Sequence, residues 1–166
     1  MTEPRFGMLT IADAGELLTV RRAAFVTEAQ LYGNPHLPAL TQSLEELIED
    51  MEREDVVTIG AWIGHRLVGS LRIEFEGVRA NLGRLAVAPD LQGRGIGSRL
   101  VMEVLEYLPE ETSEVWVFTA EDSGMNVAVY ERQEAEQEPS GERDLTYEYL
   151  RRLLGEDGSE IDENDG

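Results

Sequence analysis

The chain has 166 residues, 42% of them hydrophobic and 29% charged, a composition that suits one soluble globular domain with a sizeable core. It has no cysteine and only two histidines, His36 and His65, which excludes disulfides, thiolate catalysis and any recognisable metal-ligand spacing. Its 34 acidic residues outnumber 14 basic ones, all of them arginine, and the net charge of −20 repels nucleic acid and anionic membranes.

No apolar run approaches the ~20 residues needed to span a bilayer, and no signal-like segment opens the chain, so a cytoplasmic protein without a metal is expected. The acidic excess has two readings. One is attraction of a cationic substrate such as an amine; the other is adaptation to a salty cytoplasm, where a screening length of ~3 Å at molar salt leaves little steering.

In chain order, the first third reads as helical. Thr10 is placed to cap a helix whose stripe carries Leu17, Leu18, Val20 and Ala24 towards Phe25. The stretch Tyr32-Gly33-Asn34-Pro35-His36-Leu37-Pro38 breaks it. Ser43 and Glu46 have capping-box spacing ahead of Leu44, Leu47, Ile48 and Met51.

The period then changes. Val56 to Ile63 is rich in β-branched residues and ends at the turn Gly64-His65. Leu67 to Phe75 alternates, with Leu67, Gly69, Leu71, Ile73 and Phe75 against Val68, Ser70, Arg72 and Glu74. Gly77 marks a second turn before a strand over Ala80 to Ala88, stopped by Pro89-Asp90. A helix from Ile96 to Tyr107, a short strand at Val115 to Phe118 and a short helix over Asn126 to Glu131, capped by Ser123, complete the readable part. Leu145 to Leu150 suggests a last strand. Residues 1–154 are expected to form one domain and 155–166, acidic with Ile161 as its one apolar residue, a disordered tail. Helices, an antiparallel run of strands and then strand, loop, helix and strand describe an α+β (mixed α/β) domain with one crossover helix.

The loop between that strand and helix carries the chemistry. Gly93, Gly95 and Gly97 alternate with Arg94 and Ile96, between Gln92 and Ser98. Glycines let backbone approach a ligand, and the unpaired N–H groups and dipole of a helix start favour an anion such as a pyrophosphate. Arg94, and Arg99 one turn on, add charge-assisted donors. A plain flexible helix start is one reading. A dinucleotide fingerprint needs Gly or Ala where Ser98 stands, and a phosphate-binding Walker loop needs a lysine the chain lacks. An acyl-coenzyme A pyrophosphate loop is the remaining reading.

At these residues the chain resembles the GNAT superfamily of N-acetyltransferases. The family signature is Gln/Arg-x-x-Gly-x-Gly/Ala between a strand and a helix. Gln92-Gly93-Arg94-Gly95-Ile96-Gly97 fits it in full, and Leu85-Ala86-Val87-Ala88-Pro89 is typical of the strand before it. The resemblance implies a central, mostly antiparallel sheet splayed after the fourth strand and flanked by helices. It also implies acetyl-CoA as co-substrate and direct transfer of its acetyl group to a primary amine, of a small molecule or a peptide; homodimers are common in the family.

By the same resemblance, backbone groups of Leu85 and Val87 bind the pantetheine arm and those of Gln92 through Ser98 the pyrophosphate, with Ala86 a further cofactor-binding residue. Asn126 is a cofactor-binding residue and Tyr130, four residues on, the acid that protonates the leaving thiolate. A general base is harder to name. Glu28, on the helical region that often walls the acceptor site, is favoured over Glu74 and Glu76. Tyr32 and His36 sit in the break between helices, as a substrate lid would. Where the family has Gly-Phe or Gly-Tyr after the acid, this chain has Glu134 and Ala135. That departure keeps open an alternative: a non-catalytic acyl-CoA-binding or regulatory domain.

Overall fold

The computed structural model describes residues 3–33, 36, 38–118 and 124–129, and its first element is a short strand, β1 (Arg5–Met8), ahead of the helices. Periodicity does not announce it, because four residues are too few for an alternation to stand out. Thr10 then starts the helical region through a capping box. Its hydroxyl accepts from the Ala12 N–H at 3.3 Å, while Asp13 accepts from the Thr10 N–H at 2.9 Å. After a 3₁₀ turn, α1 (Ala14–Tyr32) runs until Gly33, whose φ of 64° ends it as a left-handed C-cap. Next comes α2 (Pro38–Thr41). The expected Ser43–Glu46 box opens α3 (Leu44–Met51), with reciprocal bonds of 3.1 and 3.0 Å.

Three longer strands follow: β2 (Val56–Ile63), β3 (Arg66–Glu76) and β4 (Arg79–Val87), joined by the two expected turns and paired antiparallel. The crossover is α4 (Ile96–Glu103), extended by a 3₁₀ turn to Tyr107, and it returns the chain to β5 (Glu114–Phe118), parallel to β4. β6 (Gly124–Val129) pairs antiparallel with β5, and β1 with β2, so the sheet order is β1-β2-β3-β4-β5-β6. This is the mixed α+β architecture that the sequence implied.

Both faces of the sheet are covered. Ile59, Leu71, Ile73 and Leu82 pack under Leu100, Val101 and Val104 of α4. On the opposite face Leu67 packs with Leu17 of α1 and Leu47 of α3. β3 is therefore buried without interruption from Leu67 to Leu71, and a bulge at Val68, opposite Ala61 and Trp62, breaks its expected alternation and sends Leu67 and Leu71 to opposite covered faces. Gly69 lets α4 sit close on β3: a Cβ there would lie 3.1 Å from Leu100 and 3.2 Å from the Ala86 carbonyl.

One expectation is corrected. The helix read over Asn126 to Glu131 is strand β6 as far as Val129. Six residues with Val127 and Val129 suit either element, and the β5 backbone supplies cross-strand partners that a helix would leave unused. Ser123, Tyr130, Glu134, Ala135, the strand read at Leu145 to Leu150 and the tail with its boundary at 154 lie outside the described residues.

Candidate functional site

The site begins with a defect in β4. Ser70 pairs with Ala86 and Arg72 with Gly83, so Arg84 and Leu85 together oppose the single residue Leu71. Arg84 takes the extra place with a φ of 53°, and it is the one described non-glycine residue at positive φ. Such backbone costs about 1–2 kcal/mol in an L-residue, and bulges of this kind twist a strand beside functional sites. Past the bulge, Leu85 and Val87 pack towards α4, and Ala86 faces Phe25 of α1.

The bulge coincides with the end of the described pairing between β4 and β5. β4 and β5 pair from Arg79/Glu114 to Leu82/Val117, and no pairing continues from Gly83 to Val87 among the described residues. The Ala88 N–H donates to the Val68 carbonyl at 2.8 Å, on the β3 side. Alternation along the strand therefore turns the Val87 N–H to the opposite, open edge.

The Gly-rich loop lies against that edge. Gly93 and Gly95 have φ of 80° and 84°, conformations in which a side chain is strained. Gly95 is the N-cap of α4 and provides no side-chain cap to its first-turn N–H groups. A Cβ added to Gly97 would lie 3.7 Å from both Leu85 and Val87, so the start of α4 rides directly over the open stretch of β4. Gln92 ties the two together, its side-chain amide donating to the Val87 carbonyl at 3.0 Å. Below the loop, Arg66 clasps Asp90 with bonds of 3.1 and 2.8 Å. That guanidinium, helped by Arg94, holds the Asp90 carboxyl below its ordinary range.

The structure thus gathers Leu85, Ala86, Val87, Gln92, Gly93, Arg94, Gly95, Ile96, Gly97 and Ser98 at one place. Narrow backbone, uncapped N–H groups and the adjacent Arg94 are chemically suited to a long ligand with a pyrophosphate. Arg99 turns elsewhere: it pairs with Glu3 at 3.2 Å and lies 4.8 Å over the Phe6 ring. Asn126 sits on β6 opposite Trp116 of β5. Glu28 is carried by α1. Glu74 is bound to Arg53 at 2.6 Å and to Arg72 at 3.3 Å, and Glu76 accepts from Asn81 at 3.1 Å. Those bonds suit structural carboxylates better than a free base.

Sequence reading missed a polar layer between α1, α3 and the sheet. Arg72 of β3 grips Asp50 of α3 with two bonds of 2.7 Å. Burial alone would raise the Asp50 carboxyl, but Arg72, with Arg53, outweighs it and holds the group low. Beside them Arg21 is 1% exposed. Burial first, then the neighbouring Arg84, pushes its pKa down to about 9, which leaves it cationic at neutral pH. The available signal was its place on the apolar stripe of α1, one turn from Leu17 and one from Phe25.

Comparison with known proteins gives the same direction as this geometry. A family model described as the acetyltransferase (GNAT) family matches residues 24–134. The chain is 29% identical over 117 residues to the UPF0157 protein YqkA of Bacillus subtilis (strain 168), a match covering 70% of this chain and 33% of that protein. The fold is similar to that of the PaiA N-acetyltransferase of Thermoplasma acidophilum in complex with coenzyme A, with a TM-score of 0.63, 22% identity, and coverage of 70% of this chain and 79% of that one. It is also similar to a GNAT family acetyltransferase of Brucella melitensis in complex with acetyl-CoA, with a TM-score of 0.55, 21% identity, and coverage of 71% and 77%. At such identities the likeness to the solved structures is one of fold.

Proposed function

Because the chain belongs to the GNAT acetyltransferase family, we propose that it is an N-acetyltransferase that moves an acetyl group from acetyl-CoA to a primary amine. The observation that carries this reading is the stretch of β4 from Gly83 to Val87, which pairs with no strand but β3 among the described residues, with the start of α4, which has no side-chain cap, riding over it. The thioester supplies an activated acetyl group, and the rest is positioning by this chain. Backbone groups of Leu85 and Val87 hold the pantetheine arm, Ala86 between them stays paired with Ser70, and N–H groups from Gln92 through Ser98 hold the pyrophosphate. Gln92 keeps the loop at the end of β4 through its bond to Val87.

The Val87 N–H, turned to the open edge, donates to the thioester oxygen as charge develops there. A donor of this kind is typically worth ~10²–10³ in rate. Tyr130 is the proposed acid for the leaving thiolate, Asn126 a further cofactor contact, and Glu28 the proposed acceptor of the amine proton. Turnover unchanged in Tyr130→Phe would remove Tyr130 from this scheme.

The test is a calorimetric titration with acetyl-CoA, in dilute and molar salt, of the parent and of Gly97→Glu. Binding by the parent, lost in a folded variant whose carboxylate crowds and repels the pyrophosphate, is the expected result. Absence of binding by the parent at both salts would overturn the proposal. Binding without turnover across a broad amine panel would assign the chain to acyl-CoA sensing instead.

A further inference from the structure

Three arginines can be compared through one edge of the guanidinium, the fork formed by Nε–H and the Nη2–H beside it. Arg72 closes that fork on Asp50 with both bonds at 2.7 Å, and Arg53 closes it on Asp55 at 3.1 and 2.9 Å. Arg21 is the most buried of the three, and neither its Nε nor its Nη2 has a hydrogen-bond partner among the described residues. Its Nη1 reaches Gln42 Oε1 only at 3.5 Å. A buried guanidinium edge without an acceptor is costly, and native interiors rarely leave one.

The fold shows which residues of the sheet share the face that α1 covers. On α1, Arg21 stands between Leu17, which packs with Leu67, and Phe25, which packs with Ala86. It therefore crosses the sheet between two apolar clusters. Ser70 is paired across the strands with Gly60 and Ala86, and Thr58 with Arg72, so these residues share the α1 face. The hydroxyls of Ser70 and Thr58 are also buried without a partner among the described residues. Guanidinium N–H groups can only donate, and both hydroxyls can turn to donate, so one oxyanion would satisfy the set.

Charge points the same way. Arg84 and Arg72 add positive potential at Arg21, and Asp50, which opposes them, has both oxygens engaged by Arg72. A buried guanidinium in a water-poor patch, inside a chain of net charge −20, is not part of a solvated face. Arg84 is also the bulge residue where β4 begins to leave β5, so the patch adjoins the open edge.

We infer that this patch seats a carboxylate of the acetyl acceptor, which makes the substrate an amine of the amino-acid type. The carboxylate lies on the Arg21 fork, with Ser70 and Thr58 below it, and the amine is directed towards the open edge of β4. A single fork of two coplanar N–H donors matches the two oxygens of a carboxylate. The inference rests on the acetyltransferase reading and narrows its substrate.

The test uses the intact chain with coenzyme A present and compares N-acetyl amino acids, as products, with the same compounds bearing a carboxamide. Melting temperature reads binding, and acetyl-CoA calorimetry runs beside it. The acids are expected to stabilise the parent and the amides not. Arg21→Gln should erase that preference while acetyl-CoA still binds, and the KM for the amino acid should rise roughly 10–100-fold. Should Arg21→Gln fail to fold, Ser70→Ala gives the second reading, with the acid-over-amide preference reduced about tenfold. Acids and amides treated alike by the parent, or a preference that survives in the variants, would overturn the carboxylate seat. Acetyl-CoA binding that persists in that case leaves the acetyltransferase reading standing, and its absence in the parent sinks that reading instead.

Discussion

Gln92 reaches back from the Gly-rich loop and donates its side-chain amide to the Val87 carbonyl at 3.0 Å, locking the loop to the last residue of β4. This bond adds to the core packing of Leu91 and Ile96 in setting the relative position of the two halves of the proposed cofactor seat, the strand edge and the helix start. Gln92→Ala removes it at an exposed site, so thermal stability should fall by no more than about 1 kcal/mol. Acetyl-CoA affinity should fall about five- to tenfold, since 1.4 kcal/mol is a factor of ten. Calorimetry on the folded variant checks both the direction and the size. An unchanged affinity would mean the loop holds its place without Gln92.

Gly95 and Gly97 should respond differently to alanine. At Gly95 a Cβ meets nothing within 4 Å, yet φ is 84°, so Gly95→Ala is expected to destabilise by about 1–2 kcal/mol through backbone strain alone. At Gly97 the Cβ makes ordinary 3.7 Å contacts with Leu85 and Val87. Gly97→Ala should therefore fold as stably as the parent and lose acetyl-CoA affinity, because the methyl narrows the space above β4. Equal melting curves for parent and Gly95→Ala would contradict the strain argument.

The Asp50–Arg72 pair joins α3 to β3 with side chains 15% and 17% exposed. Asp50→Asn leaves Arg72 half-paired and removes the carboxylate that opposes Arg21, so denaturant unfolding should show a loss of roughly 3 kcal/mol. The pH dependence has a definite sign. Arg72 holds the Asp50 carboxyl below its ordinary value of 3.8, so the unfolded state takes up its proton first. Its stabilising contribution is complete above that value and is lost as pH falls through the lower folded one. The parent should lose stability steeply below about pH 4, and Asp50→Asn less steeply. Parallel pH profiles would exclude Asp50 as the source.

Net charge of −20 should make stability depend on salt. Carboxylates crowd the surface against few cations, and their mutual repulsion is relieved as the screening length falls from ~10 Å at 0.1 M to ~3 Å at 1 M. The melting temperature is expected to rise between dilute and molar KCl. A melting temperature indifferent to salt would sink both this account and the adaptation to a salty interior.

Much of the fold was legible because it is written in short-range chemistry. Ser43 and Glu46 cap α3 as their spacing implied, Gly64 and Gly77 turn the chain with φ of 64° and 62°, and Gly93 and Gly95 hold the loop open. Each depends on residues within a few positions of one another. β1 and β6 were not legible. Four and six residues carry too little pattern, and both strands exist because the sheet offers backbone partners, from distant β2 for β1 and from the preceding strand β5 for β6.

The sequence by itself determined the class of domain, the strand–loop–helix unit and the residues of the Gly-rich loop, since glycine, proline and hydrophobic period act locally. Only the tertiary structure decided where β4 leaves β5, because the bulge at Arg84 comes from register against β3 and no residue type there demands it. It also decided that Arg21 lies buried with an open fork. An arginine on an apolar stripe can turn out to solvent or lie across a sheet. The packing of Leu17 and Phe25 on either side is what draws this one inside.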